Sequence, residues 1–385
     1  MAIKDNFVGL YIRRFVIPGA LVFNKPGFVD FKISGKTSIY ARQIFYPEDF
    51  FVKFESRIVG AFGDEGRKQL YSIGKKFGYR FAQSGKFENV SNNPGDKIKK
   101  WISIVSKFVE GTYASLIENT TDVSLKKTDF TLKNFTVLEE LGYEYIFATG
   151  GTAGLMAWMF QDPTIEVVLH DVKGNKGNYD GVVTSAPFNY LNSHFKDQLI
   201  FSETNLDGLS EEFQNYVSFN QHAEIMHKKS FQSYLDFNFF KYQKGIITFN
   251  NNRFFLFETS GTYLIEYELL KSKKKKYLDI LFGAAFDTGY ETMSQFGSNL
   301  NEVFEVLSAL GWGEVLQFSS AGNQIKISIN HFPWSKWYDD IDFLMVRGFL
   351  SGIVSKINKK KMLFEKPVID LSKGSLSLLF GGKYV

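Results

Sequence analysis

The stretch GALVFNKPGFVDFKISGKTSI (residues 19–39) decides how this chain is read, because GIITFNNNRFFLFETSGTYLI (residues 245–265) repeats it without a gap, 226 positions on. Gly19/Gly245, Phe23/Phe249, Asn24/Asn250, Phe28/Phe254, Phe31/Phe257, Ser34/Ser260, Gly35/Gly261 and Ile39/Ile265 are identical. Eight identities in 21 positions exceed the roughly one or two that chance supplies. Both copies alternate apolar and polar residues around turn signals at 24–27 or 250–253, and each then reaches Ser-Gly. That pattern predicts a β-meander in each copy, with Ser-Gly as a hairpin turn.

Working outward, each copy predicts a helix with small residues four apart: Gly74 and Gly78, then Ala285 and Gly289. Such spacing lets another element approach closely. A second helix is expected at 97–117 and at 299–310, and strands at 130–135 and 324–329. A third helix carries Gly150 and Gly154, or Gly348 and Gly352. Closing hairpins fall at 165–172 with 181–186, and at 362–369 with 375–380. Hairpins around a block of helices, without βαβ alternation, indicate an α+β fold with antiparallel sheet packed on helices. The expected division is a first domain at 1–194, a polar connection at 195–242 with a short helix at 210–217, and a second domain at 243–385.

Composition limits the chemistry. With 385 residues, 44% hydrophobic, and 41 Phe, 19 Tyr and 5 Trp, the chain buries a large core and is not disordered. The absence of cysteine removes disulfides, Cys-ligated zinc, iron–sulfur clusters and thiol nucleophiles. No run reaches the roughly 18 unbroken apolar residues of a membrane helix, and the N-terminus lacks a clean signal peptide, so a cytoplasmic location is expected. A net charge of +4 does not demand a nucleic acid or an anionic membrane.

The run Phe343-Leu-Met-Val-Arg-Gly348-Phe-Leu-Ser-Gly352-Ile-Val, then Met362-Leu-Phe-Glu365 and Gly374-Ser-Leu-Ser-Leu-Leu-Phe380, resembles the 4-vinyl reductase domain. So does Leu70-Tyr-Ser-Ile-Gly74-Lys-Lys-Phe-Gly78. This small-molecule-binding domain is related in fold to the TRAPP vesicle-tethering subunits and to haem–nitric-oxide sensor domains. The resemblance spans both copies through diffuse glycine and apolar patterns. It implies an apolar pocket between helices and sheet for a hydrophobic, aromatic or lipid-like ligand, with the domains paired two by two, here as an internal pseudo-dimer. Zinc-containing members place cysteines after a Glu that looks equivalent to Glu365. This chain has Pro367, Val368 and apolar residues there, so no metal is expected. The Tyr-x-Ser-x-Arg motif of haem-binding relatives is missing, and no cofactor is expected.

Several motifs tempt a catalytic reading. Gly35-Lys36-Thr37 ends like a phosphate-binding loop, but Asp30 stands where that motif requires glycine. Residues 150–154 and 311–313 are glycine-rich without the G-x-G-x-x-G order, so close helix packing is the favoured reading of the first. His222, Glu224 and His227 suggest a metalloprotease helix. Their five-residue histidine spacing, about 140° on a helix, separates the two imidazoles, and they read as surface residues. His170, His194 and His331 show no partner spacing, although a Ser-His-Asp triad assembles in space rather than in sequence. Asp339, Asp340 and Asp342 precede the third helix of the second copy and are expected to cap it.

Inward-facing aromatic and methionine side chains are the ligand candidates: Phe77, Phe81, Met156, Trp158, Phe286, Met293 and Phe349, with Tyr79, Tyr290 or Arg347 orienting a polar end. Lys97, Lys99, Lys100, Lys273, Lys274, Lys275, Lys276, Lys359, Lys360 and Lys361 form basic clusters beside Trp101, Tyr277 and Phe364. They carry the alternative of an RNA or ribonucleoprotein module. A second alternative is an enzyme acting on a tetrapyrrole or other hydrophobic substrate, though no nicotinamide or flavin motif supports it. The expected function is a non-enzymatic sensor or adaptor that binds an apolar small molecule or lipid, with a protein partner or a second copy as further associates.

Overall fold

The computed structural model describes residues 21–32, 39–135, 145–175, 178–200, 203–206, 216–218, 225–243, 246–321, 324–370 and 377–385. They fall into two compact units. The first holds the described residues of Glu55–Gln214 with those of Gln243–Ile246, and the second those of Ala20–Phe54, Asn215–Tyr242 and Ile247–Val385. The expected domain boundaries follow the repeat in the sequence, whereas compactness assigns the N-terminal strands to the second unit.

The described residues open with antiparallel strands β1 (Leu21–Lys25), β2 (Phe28–Lys32) and β3 (Ile39–Pro47), followed by helix α1 (Glu48–Phe62). The first unit continues with α2 (Asp64–Ser84), α3 (Asp96–Tyr113), β4 (Leu116–Asp122), β5 (Lys127–Lys133), α4 (Ile146–Phe160), β6 (Ile165–Asn175), β7 (Asn178–Pro187) and α5 (Phe188–His194). Among the described residues its strands pair antiparallel in the order β4-β5-β7-β6.

In the second unit β8 (Tyr216–Ser218), α6 (Phe231–Asp236), β9 (Lys241–Gln243), β10 (Ile246–Phe249) and β11 (Asn252–Glu258) lead to α7 (Thr259–Lys271) and α8 (Lys275–Glu291). Then come α9 (Leu300–Leu307), β12 (Glu314–Ala321), β13 (Gln324–Asn330), α10 (Leu344–Ile357), β14 (Met362–Phe364), β15 (Val368–Asp370) and β16 (Ser377–Tyr384). One sheet runs β1-β2-β3-β11-β10-β9 with β8 on β3, and another β12-β13-β16-β14 with β15 on β16. The fold is therefore α+β, with antiparallel sheets packed on helices.

The glycine spacing does what the sequence predicts. In the first unit a Cβ on Gly78 would collide with the carbonyl of Gly151, and one on Gly154 with the carbonyl of Lys75. In the second, a Cβ on Gly289 would meet the backbone of Phe349, and one on Gly352 that of Phe286. Helices α2 and α4, like α8 and α10, thus meet backbone to backbone, where any side chain would force them apart.

Four expectations need correction. Ser260, Gly261, Thr262 and Tyr263 lie in α7 rather than in a hairpin turn, because the run continues at helical period with Ile265 and Leu269 buried. Ser34–Thr37 lies outside the described residues. The matched 21-residue stretches thus lead to strand β3 in one case and to a helix in the other. The strands that enter a helix alike are β3 into α1 and β11 into α7, whose helices begin 211 positions apart, at Glu48 and Thr259.

Second, the expected element order omits α1, β4, α7 and β12. LIENTTD, the sequence of β4, is too polar to announce itself; register decides it, pairing Ile117 with Leu132 and Asn119 with Phe130. Third, of the helix expected at 210–217, residues 210–215 lie outside the described residues, while Tyr216–Ser218 is a strand on β3. Fourth, the aspartates before α10 do not cap it. The cap is Glu266 of α7, whose carboxylate accepts the amides of Asp342 at 2.8 Å and Leu344 at 3.0 Å. Asp340 instead accepts the Tyr263 hydroxyl, and Asp342 pairs with Lys366.

Candidate ligand cavity

A cavity of about 90 Å³ lies between α3, α4 and the sheet of the first unit. A single water needs about 10–15 Å³ in such a space, so there is room for a molecule of about six to ten heavy atoms. Helix α3 contributes Ile102, Val105, Ser106 and Val109, the spacing of one helical face. From the sheet come Phe130, Val183 and Leu169, which are directly paired across β5, β7 and β6, with Ile117 and Leu132 paired beside them. One face of three neighbouring pairs of strands is therefore apolar.

Helix α4 closes the space. Its glycine face meets α2, which leaves Thr149, Thr152, Leu155 and Met156 to line the cavity. Its N-terminus is held by the buried carboxylate of Glu55, which accepts the amides of Ile146 and Phe147, each at 3.0 Å. Two orphan helix donors are thereby satisfied away from water. The start of β4 is pinned in the same way, because buried Glu110 accepts the Ile117 amide at 2.9 Å and the Lys107 ammonium at 2.7 Å.

The polar side chains of the described lining are hydroxyls, those of Ser106, Tyr145, Thr149 and Thr152. Thr149 donates to the carbonyl of Tyr145 at 2.7 Å, Thr152 to that of Ala148 at 3.0 Å, and Ser106 to that of Ile102 at 2.8 Å. Ser106 also accepts from the Asn119 amide at 3.2 Å. Among the described residues, none of the lining side chains carries a charge.

Two polar networks lie apart from this lining. Lys75 of α2 reaches Glu166 of β6 at 2.6 Å, with both side chains 2% exposed, and the Tyr71 hydroxyl donates to the other carboxylate oxygen at 2.7 Å. Burial pushes the Glu166 carboxyl up against the opposing pull of Lys75, and burial beside Glu166 holds the Tyr71 phenol well above its usual range. The amide of Val167 donates to the same phenol oxygen at 3.0 Å, so α2 also covers an edge strand.

The second network supplies partners that spacing did not show for His170. Its Nε2 lies 2.8 Å from the Thr184 hydroxyl and its Nδ1 2.9 Å from Asp171. That is the connectivity of a nucleophile, base and orienting acid. Thr184, however, is 1% exposed and gives its proton to Asp129 at 2.7 Å, so no reacting atom can approach it.

Of the ten ligand candidates named from sequence, Met156 alone lines this cavity. Phe77 packs on Phe81 and Phe147, and Tyr79 on Trp158, whose indole donates to the Phe87 carbonyl at 2.9 Å. In the second unit, Phe286 stacks on Tyr290, Met293 is buried, and fully buried Phe349 packs among Tyr46, Phe50 and Trp312. Arg347 donates to the carbonyls of Phe364 and Asp342. The structure does not gather these residues into one site.

Sequence reasoning passed over Ser106, Thr149 and Thr152. The available signal was a set of hydroxyls on otherwise apolar helix faces. The clustered lysines are exposed at the ends of elements: Lys97, Lys99 and Lys100 at the start of α3, Lys273 and Lys274 between α7 and α8, Lys275 and Lys276 at the start of α8, and Lys359–Lys361 after α10. Lys274 lies over the Tyr277 ring and Lys360 over Tyr384. His227 is half-buried and bonds the Val315 carbonyl at 2.8 Å, in contrast to the surface position expected for it. His222 and Glu224 lie outside the described residues. Among the described residues no acidic or histidine cluster could hold a metal ion, and no helix is long and apolar enough to cross a membrane.

No protein-family model matches the chain. No curated protein matches it either. Among solved structures, a vinyl-4-reductase family protein from Methanocaldococcus jannaschii is similar at 16% identity and a TM-score of 0.25, over 32% of this chain and 77% of that one. The phenol-responsive sensory domain of the transcription activator PoxR, solved with phenol, is similar at 11% identity and a TM-score of 0.32, over 40% of this chain and 91% of that one. The relationship to both is distant.

Proposed function

We propose that this protein binds a small apolar molecule in the cavity of its first unit and acts as a sensor or adaptor rather than as an enzyme. The observation that carries the reading is the cavity itself, about 90 Å³ bounded by apolar side chains and a few hydroxyls. Close-packed interiors contain few voids larger than a water molecule. A space of this size, walled by a rigidly seated helix and an apolar sheet face, is a binding site in form. The chain is further read as a duplication. In support, the hairpin-to-helix steps recur 211 positions apart, and the same interval relates Glu55 to Glu266 and Gly78 to Gly289.

The test is a thermal-unfolding titration of the full chain with toluene. A ligand that binds only the folded state raises stability by about 2.7 kcal/mol at a hundredfold excess over Kd. The expected outcome is a concentration-dependent rise in Tm that Val105→Phe abolishes by filling the space. A rise that persists undiminished in Val105→Phe places the binding elsewhere and overturns the proposal. Native mass spectrometry of the purified protein offers a second readout through any small molecule retained from the cell.

A further inference from the structure

Resting on the cavity reading and on the duplication, we infer that the chain carries one such ligand site rather than two: the second unit's counterpart of the cavity is closed by its own side chains, with Phe304 and Phe380 as the plug. Matching contacts set the correspondence between the units. Gly154 of α4 lies against the backbone of Lys75 and Tyr79, and Gly352 of α10 against that of Phe286 and Tyr290. The glycines are 198 positions apart and their partners 211. Near the end of α3 the Glu110 carboxylate accepts the Ile117 amide, and 198 positions on the Ser308 hydroxyl accepts the Val315 amide at 2.9 Å. In the sheets, Asn119, Phe130 and Val183 stand side by side across β4, β5 and β7. Gln317, Ile327 and Phe380 do so across β12, β13 and β16.

That correspondence makes burial comparable position by position. Val105, Val109, Thr152 and Leu155 line the first unit's cavity and are half-buried. Their counterparts Val303, Leu307, Leu350 and Ile353 are each 0% exposed. A side chain with no surface open to water borders no space that a water can enter, so nothing of ligand size lies against these four. Side-chain volume supplies the reason. Phe304 stands where the first unit has Ser106, and Phe380 where it has Val183, which adds one aromatic ring to the helix wall and one to the sheet wall. Both rings are buried, and Phe380 packs edge-on against Phe332 and Phe343. Rings at those two positions bring the interior to ordinary close packing. The first unit, with a hydroxymethyl and an isopropyl group there, keeps its space. A ligand therefore acts through the first unit alone, and binding within one chain shows no cooperativity.

The test is equilibrium dialysis of the full chain against saturating radiolabelled toluene, which counts bound molecules. The expected result is one per chain in the wild type and none in Val105→Phe. In the Val105→Phe background, Phe304→Ala should open the second unit and restore one per chain, since an excavated apolar cavity takes up molecules of benzene size. If that variant does not fold, Phe380→Val is the smaller cut, to the residue found at 183, and carries the same measurement. Two toluenes in the wild type, with one remaining in Val105→Phe, show the second unit to be open; that result overturns the inference and leaves the cavity reading standing. A folded plug variant that still binds nothing overturns the role of the two rings. A single toluene that Val105→Phe leaves in place, or no toluene in the wild type, overturns the cavity reading and the inference with it.

Discussion

The carboxylate of Glu266 accepts the amide of Leu344 at 3.0 Å, so a side chain on α7 caps the start of α10. It also accepts the amide of Asp342, and the residue is 2% exposed. Burial raises its pKa to about 7 from an ordinary 4.5, against the lowering effect of those amides and with Asp342 adding to the rise. The folded protein therefore holds this proton over a range where the unfolded chain has released it. The stabilisation is complete below pH 4.5 and is lost as pH rises to about 7. By linkage the change is about 3 kcal/mol. Urea unfolding across that window should show a fall in stability that Glu266→Gln removes. An identical pH profile for the two proteins would refute the assignment.

The pair Lys75 and Glu166 predicts a large penalty for breaking and a small one for replacing. Lys75→Met leaves a carboxylate buried beside Tyr71 and should cost about 3–5 kcal/mol. Lys75→Met with Glu166→Gln removes the stranded charge and should recover a good part of that loss. Equilibrium denaturation of the two single variants and the double variant completes the cycle, and strict additivity would mean that the pair is not coupled.

Two glycines in neighbouring helices should respond to alanine with opposite sign. Gly60 in α1 is exposed, and a Cβ added there would meet nothing within 4 Å, so Gly60→Ala should stabilise by about 0.5–1 kcal/mol. Gly78 in α2 faces the Gly151 carbonyl, so Gly78→Ala should destabilise by about 1–3 kcal/mol despite alanine's better helix propensity. Thermal melts of the two variants decide it, and stabilisation of both would contradict the close approach of α2 to α4.

Enlarging the cavity should also report on stability without ligand. Leu155 lines the space and is half-buried, and Leu155→Ala widens a void that is already present. That should cost about 2–5 kcal/mol, and a cost near zero in denaturant unfolding would mean that the wall collapses inward and the cavity is not rigid.

Much of the architecture was legible because it is written at short range. The glycines of α2, α4, α8 and α10 mark close helix contacts wherever an apolar helical run repeats a small residue every fourth position. The closing hairpins showed through alternation, and Gly150–Gly154 was read as helix packing from its counterpart at Gly348–Gly352. The element order failed where the local signal was weak or misleading. β4 is nearly all polar and takes its strand form from pairing with β5. Ser260-Gly261 looks like its earlier counterpart but sits inside a helix.

The sequence alone therefore determined the α+β class, the absence of cysteine chemistry and the helix faces that meet backbone to backbone, since each depends on residues within a turn or two of one another. Only the tertiary structure decided where Glu55 and Glu266 deliver their carboxylates, and that Ser106, Thr149, Thr152 and Met156 share one space while Phe77, Trp158 and Phe349 do not. A cavity is what remains between α3, α4 and the sheet once each has packed against its neighbours, and no periodicity within a single element records that remainder.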